Sequence, residues 1–130
     1  DFILVEQRGN YYAKPHLDCP EWSQAIYESN QPDFDSKDFK IVFENAAKKC
    51  RERLENMGID LNGYNTNEIA ADINDLVNVL EIQEYNLLTI SYSTKIAQVL
   101  MRDYPDKIRS VVMDSPLPLF TMIVGMSMSC

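Results

Sequence analysis

Apolar positions along this chain fall into two periods. Residues 2–5 are apolar without a break, and residues 85–90 and 108–113 form two more short, β-branched runs. Runs of this kind, largely apolar rather than strictly alternating, suit strands buried on both faces. Between them the spacing changes to three and four. Phe39, Phe43, Ala46, Ala47, Cys50, Leu54 and Met57 make one stripe. Ile69, Ile73, Leu76, Val77 and Leu80 make a second, and Ile96, Ala97, Leu100, Met101 and Tyr104 a third. Each stripe covers one face of a helix.

Local signals set the limits of these elements. Asp35 or Ser36 can cap the first helix and Gly58 can stop it in the left-handed region. Asn62-Gly63 reads as a turn, and Thr66 as the cap of the second helix, with Glu68 near its positive end. Pro105-Asp106 ends the third helix, and Asp114-Ser115-Pro116 closes the last strand. Residues 10–35 hold Pro15, Pro20 and Pro32 among mixed polar positions and read as a long surface excursion. The expected order is strand (2–6), excursion with helix, helix, strand, helix, strand. That is an α/β chain with a parallel sheet flanked by helices.

With 130 residues the chain reads as one domain or part of one, here a single partial domain over 1–130. A content of 45% hydrophobic residues can build a core. The net charge of −8 argues against a nucleic-acid partner, which calls for clustered Lys and Arg. No stretch of residues 1–130 reads as a signal peptide. The apolar tail, 117–130, is too short and interrupted to span a bilayer.

Three cysteines are present, Cys19, Cys50 and Cys130, with one histidine, His16. No C-x-x-C occurs, so a metal site is not expected, and no cofactor is called for. Cys19 and Cys50 can form a disulfide, which implies an oxidising compartment, or stand as two ordinary thiols; spacing does not decide. Asp33, Asp35 and Asp38 lack the Gly and Glu of a calcium loop and read as capping and solvated groups.

The candidate chemistry lies in Leu87-Leu88-Thr89-Ile90-Ser91-Tyr92-Ser93-Thr94-Lys95. A strand, a serine at a tight turn and a helix make up the layout of a nucleophile elbow, G-x-S-x-G. Thr89 and Ser93 stand where that pattern has glycine. Three blocks now carry a resemblance. They are Ile3-Leu4-Val5-Glu6-Gln7-Arg8-Gly9, then Tyr64-Asn65-Thr66 through Leu76, and Tyr85-Asn86-Leu87 through Lys95, continuing from Tyr104-Pro105 to Asp114. In this order and spacing the chain resembles α/β-hydrolases, in particular the proline iminopeptidase and tripeptidyl-aminopeptidase-like branch.

The resemblance implies a serine hydrolase acting on peptides or small esters. Ser91 is its nucleophile, and the Tyr92 N–H is one oxyanion donor. The second donor would come from a loop ahead of Asp1. Asp114, at the end of the last strand, is a minor candidate for the triad acid. Secreted members carry cysteines near Cys19 and Cys50, which favours the bridge and a secreted or periplasmic location. In this fold the base follows the nucleophile, yet no His follows Ser91; His16 reads as a surface residue. The chain by itself is therefore expected to be nearly inert, a central fragment of a hydrolase. The alternative is a non-catalytic binding or structural module of the same fold. Arg8 reads as half of a structural ion pair, and Tyr11, Tyr12 and Trp22 as packing groups that could also line a cleft. The rest of a hydrolase domain is the implied partner, and exposed sheet edges imply self-association.

Overall fold

The computed structural model of the chain describes residues 1–119. These divide into two compact units, one of residues 6–62 and one of residues 1–5 with 63 onward.

The 6–62 unit is a helix pair. Helix α1 (Pro20–Ser29) packs on α2 (Phe39–Asn56), which a single 3₁₀ turn at Ser36–Asp38 leads into. Pro20 is the first residue of α1, where its missing N–H costs nothing and its fixed φ suits the helix. The Asp35 side chain accepts a hydrogen bond from the Lys37 N–H at 3.0 Å, as a cap should. Gly58 follows α2 with φ +80°, the left-handed stop its position predicts. Ala25, Ala46, Cys50 and Leu54 are buried, and Trp22 meets Phe43 edge-on at 4.9 Å. A disulfide joins Cys19 to Cys50, tying the start of α1 to the apolar face of α2.

The other unit holds α3 (Thr66–Val79), β1 (Tyr85–Ile90), α4 (Ser93–Asp103) and β2 (Ile108–Asp114). β1 and β2 pair in parallel, with Leu88 opposite Val112 and Ile90 opposite Asp114. The core joins Ile69 and Ala70 of α3 to Ile96, Val99 and Leu100 of α4. Ile73, Leu87, Tyr92, Tyr104 and Ile108 pack around it. α4 therefore lies between α3 and one face of the sheet. This is the parallel α/β arrangement that the alternating periods predict.

Three expectations shift. α1 lies inside the 10–35 stretch read as an excursion, because Pro15 precedes the helix, Pro20 starts it and Pro32 follows it, so none falls in its interior. The cap of α3 is Asn65, not Thr66: the Asn65 side chain accepts from the N–H groups of Asn67 and Glu68, both at 3.0 Å. Residues 2–6 form no strand. Phe2 and Leu4 are 94% and 96% exposed. An apolar run becomes a strand only against a neighbour that takes its backbone hydrogen bonds. Among the described residues β1 and β2 pair only with each other.

Candidate active site

Ser91 follows β1 directly and stands two residues before α4. Its φ is +55°, in the left-handed region. A non-glycine residue there costs on the order of 1–2 kcal/mol, so the surroundings must hold it. They do so with three hydrogen bonds. The Ser91 N–H donates to the Asp114 carbonyl at 2.9 Å, which fastens the turn to the end of β2. The Ser91 carbonyl accepts from the Thr94 N–H at 3.0 Å and from the Thr94 hydroxyl at 2.6 Å. Thr94 is fully buried, and its hydroxyl also accepts the Leu117 N–H at 2.9 Å. Glu81 and Ser115 also have positive φ. Of the three, Ser91 alone lies between a strand and the N-terminus of a long helix, and it is exposed.

Thr89 and Ser93 occupy the two glycine positions of the elbow pattern. Both use their hydroxyls on nearby backbone. Thr89 is buried and donates to the Val112 carbonyl of β2 at 3.3 Å. Ser93 accepts the Ile90 N–H at 2.7 Å and donates to the Ile90 carbonyl at 2.8 Å. Tyr92 opens α4 with helical dihedrals, φ −56° and ψ −36°. Its hydroxyl is hydrogen-bonded to Thr66 Oγ1 at 2.9 Å, linking the elbow to the start of α3. The amides that begin α4 carry the positive end of the helix dipole, which favours negative charge developing near Ser91.

The other sequence candidates fall in both units. Asp114 is near Ser91 through its backbone carbonyl, while its carboxylate accepts from the Ser115 hydroxyl at 3.0 Å. His16, Arg8, Tyr11, Tyr12 and Trp22 belong to the 6–62 unit. His16 is exposed and meets Tyr11 edge-on at 5.7 Å. Tyr11 in turn meets Tyr12 at 5.1 Å. Cys19, Glu21 and Cys50 bring three ligand-type atoms within 4.8 Å, but the disulfide uses both sulfurs and Glu21 is paired with Arg53.

A cavity of about 230 Å³ lies in the same unit as Ser91 but elsewhere on it. Asn74, Asn78, Tyr85, Asp103, Asp106 and Lys107 line it, at the end of β1 farthest from the elbow. Burial raises the phenol pKa of Tyr85 there. Sequence reasoning had no reason to single out this cavity, since its polar groups come from four separate elements. The link between Thr66 and Tyr92 was also hidden, because it joins residues 26 apart.

Strand, left-handed serine and helix are the geometry of an α/β-hydrolase elbow. The sequence model of the alpha/beta hydrolase fold matches residues 1–128. The chain belongs to the alpha/beta hydrolase fold family. Comparison with the curated proteins and with the solved structures gives no match to either. Within the family the parallel pair β1–β2, with α3 and α4 on one face, is part of the hydrolase sheet. Among the described residues no helix is long and apolar enough to cross a membrane.

Proposed function

We propose that this chain is the nucleophile-bearing part of a serine hydrolase, with Ser91 as the attacking group. The observation that carries the proposal is the left-handed φ of +55° at Ser91, held by hydrogen bonds from both β2 and α4. Strain of that kind in an exposed serine at a strand–helix junction is what an elbow requires.

In this reading the Ser91 hydroxyl attacks a carbonyl carbon and loses its proton to a histidine. The oxyanion formed accepts a hydrogen bond from the Tyr92 N–H at the positive end of α4. Collapse expels the amine or alcohol and leaves an acyl group on Ser91, which water then removes. In this fold the base follows the nucleophile, and no His follows Ser91 within residues 1–130. Asp114 is a minor candidate for the acid. Its backbone role at the turn supports a positioning function for it at least as well. The substrate class is peptides or small esters, with an aminopeptidase-like preference resting on the sequence blocks alone. The Cys19–Cys50 disulfide supports an oxidising, secreted or periplasmic setting.

Turnover of amino-acyl and short-chain ester reporter substrates tests this. The protein is expressed with its natural flanking sequence. Ser91→Ala is expected to lower turnover by on the order of 10⁴–10⁶-fold, as loss of a triad member does. Residues 1–130 by themselves are expected to show no turnover above background. Retained turnover in Ser91→Ala would overturn the proposal. A second reading, a non-catalytic module of the same fold, is favoured by Thr89 and Ser93 at the glycine positions and by the single histidine. Absence of turnover in the intact, folded protein selects it.

A further inference from the structure

The elbow pattern has glycine where this chain has Ser93, and the substitution leaves more than a tolerated side chain. One hydroxyl engages both polar groups of Ile90: it accepts the N–H at 2.7 Å and donates to the carbonyl at 2.8 Å. The next residue, Ser91, has its own N–H bound to the Asp114 carbonyl at 2.9 Å. The residues on both sides of the Ile90–Ser91 peptide bond are thus tied, one to the first turn of α4 and one to β2. A glycine at 93 would leave the Ile90 groups without this partner.

We infer that Ser93 is a positioning residue for Ser91, its hydroxyl clamping the Ile90 backbone so that the left-handed turn keeps one geometry. This rests on reading Ser91 as a nucleophile. A flexible turn would let the Ser91 hydroxyl wander, and a misplaced reacting atom is costly. A shift of about 1 Å can cost on the order of 100-fold, so losing the clamp predicts roughly tenfold. Thr94 holds the Ser91 carbonyl from the other side but belongs to the buried core, so its replacement would confound folding with positioning. Ser93 is only half-buried and tests the idea more cleanly.

The experiment measures the second-order rate of fluorophosphonate labelling at Ser91 in the protein with its natural flanking sequence. Ser93→Ala is expected to label roughly tenfold more slowly at unchanged folded fraction, and Ser93→Thr, which keeps the hydroxyl, to stay within about threefold of the parent. Equal rates for Ser93→Ala and the parent would overturn the inference while leaving the nucleophile intact. No labelling of the parent would instead sink the nucleophile reading, and the inference with it. If Ser93→Ala does not fold, amide exchange in the unsubstituted protein decides. The clamp requires a protected Ile90 N–H, and rapid exchange there overturns it.

Discussion

At the scale of single residues, short polar side chains bonded to backbone set the geometry around Ser91. Asn65 satisfies two N–H groups at the start of α3, and the neighbouring Thr66 is thereby released to bond Tyr92. Replacing Asn65 with Ala should lower stability by about 1 kcal/mol, the usual worth of such a cap, measured by urea unfolding. Thr66→Val should leave the cap intact and sever the tie to Tyr92. The sequence placed this cap one residue late because Asn and Thr are both good capping residues and stand side by side. The strand–helix junction at Ser91 was readable, since an apolar run, a serine and an amphipathic stripe follow one another without a gap. The hydroxyl bonds of Thr89 and Ser93 were not readable: a pattern records that glycine is missing, not what the new side chain bonds to.

At the scale of elements, the helix pair α1–α2 is held by cross-links as well as by its packing. The disulfide closes a long loop between Cys19 and Cys50, 31 positions apart. Chain entropy gives such a bridge about 3–4 kcal/mol, so replacing both cysteines with Ala should lower the stability of this pair by roughly that amount. Thermal unfolding with and without reductant measures it. Beside the bridge, Arg53 donates to Glu21 at 2.7 and 3.3 Å and to the Asp18 carbonyl at 2.6 Å. The Arg53 hydrogen bond holds the Glu21 carboxyl below its usual range. A carboxyl depressed in the folded state adds stability above its unfolded pKa and loses it as pH falls through the folded one. The helix pair should therefore weaken as pH drops below the ordinary carboxylate range. Glu21→Gln should flatten that part of the profile, whereas an unchanged profile would show that the pair is too solvated to matter. α2, α3, α4 and both strands were legible because the helical stripes are regular, the apolar runs fall between them, and their stops are distinct. α1 was hidden by prolines that read as breakers, although Pro20 starts the helix. The run 2–5 was misread because periodicity reports burial tendency and not the presence of a partner strand.

At the scale of the molecule, the sheet is the feature with unmet demands. α4 covers one face. On the other, Leu88, Ile90 and Val112 are 68%, 58% and 58% exposed. Among the described residues each strand also keeps one unpaired edge. Largely apolar strands anticipate cover on both faces, and residues 1–119 supply one. Residues 1–130 by themselves should therefore associate with rising concentration in sedimentation experiments, and Leu88→Lys with Val112→Lys should reduce the association. A monomer at all concentrations would contradict this. The fold class was legible from the alternation of periods. A complete triad was not legible, because the sequence has one histidine and it precedes Ser91. The central claim is that Ser91 is poised as a nucleophile. Fluorophosphonate treatment of the protein with its natural flanking sequence, followed by peptide mass mapping, tests it most directly. The expected result is a single adduct on Ser91, in the peptide ending at Lys95, and no adduct in Ser91→Ala. An adduct on a different serine, or none on folded protein, would contradict the claim.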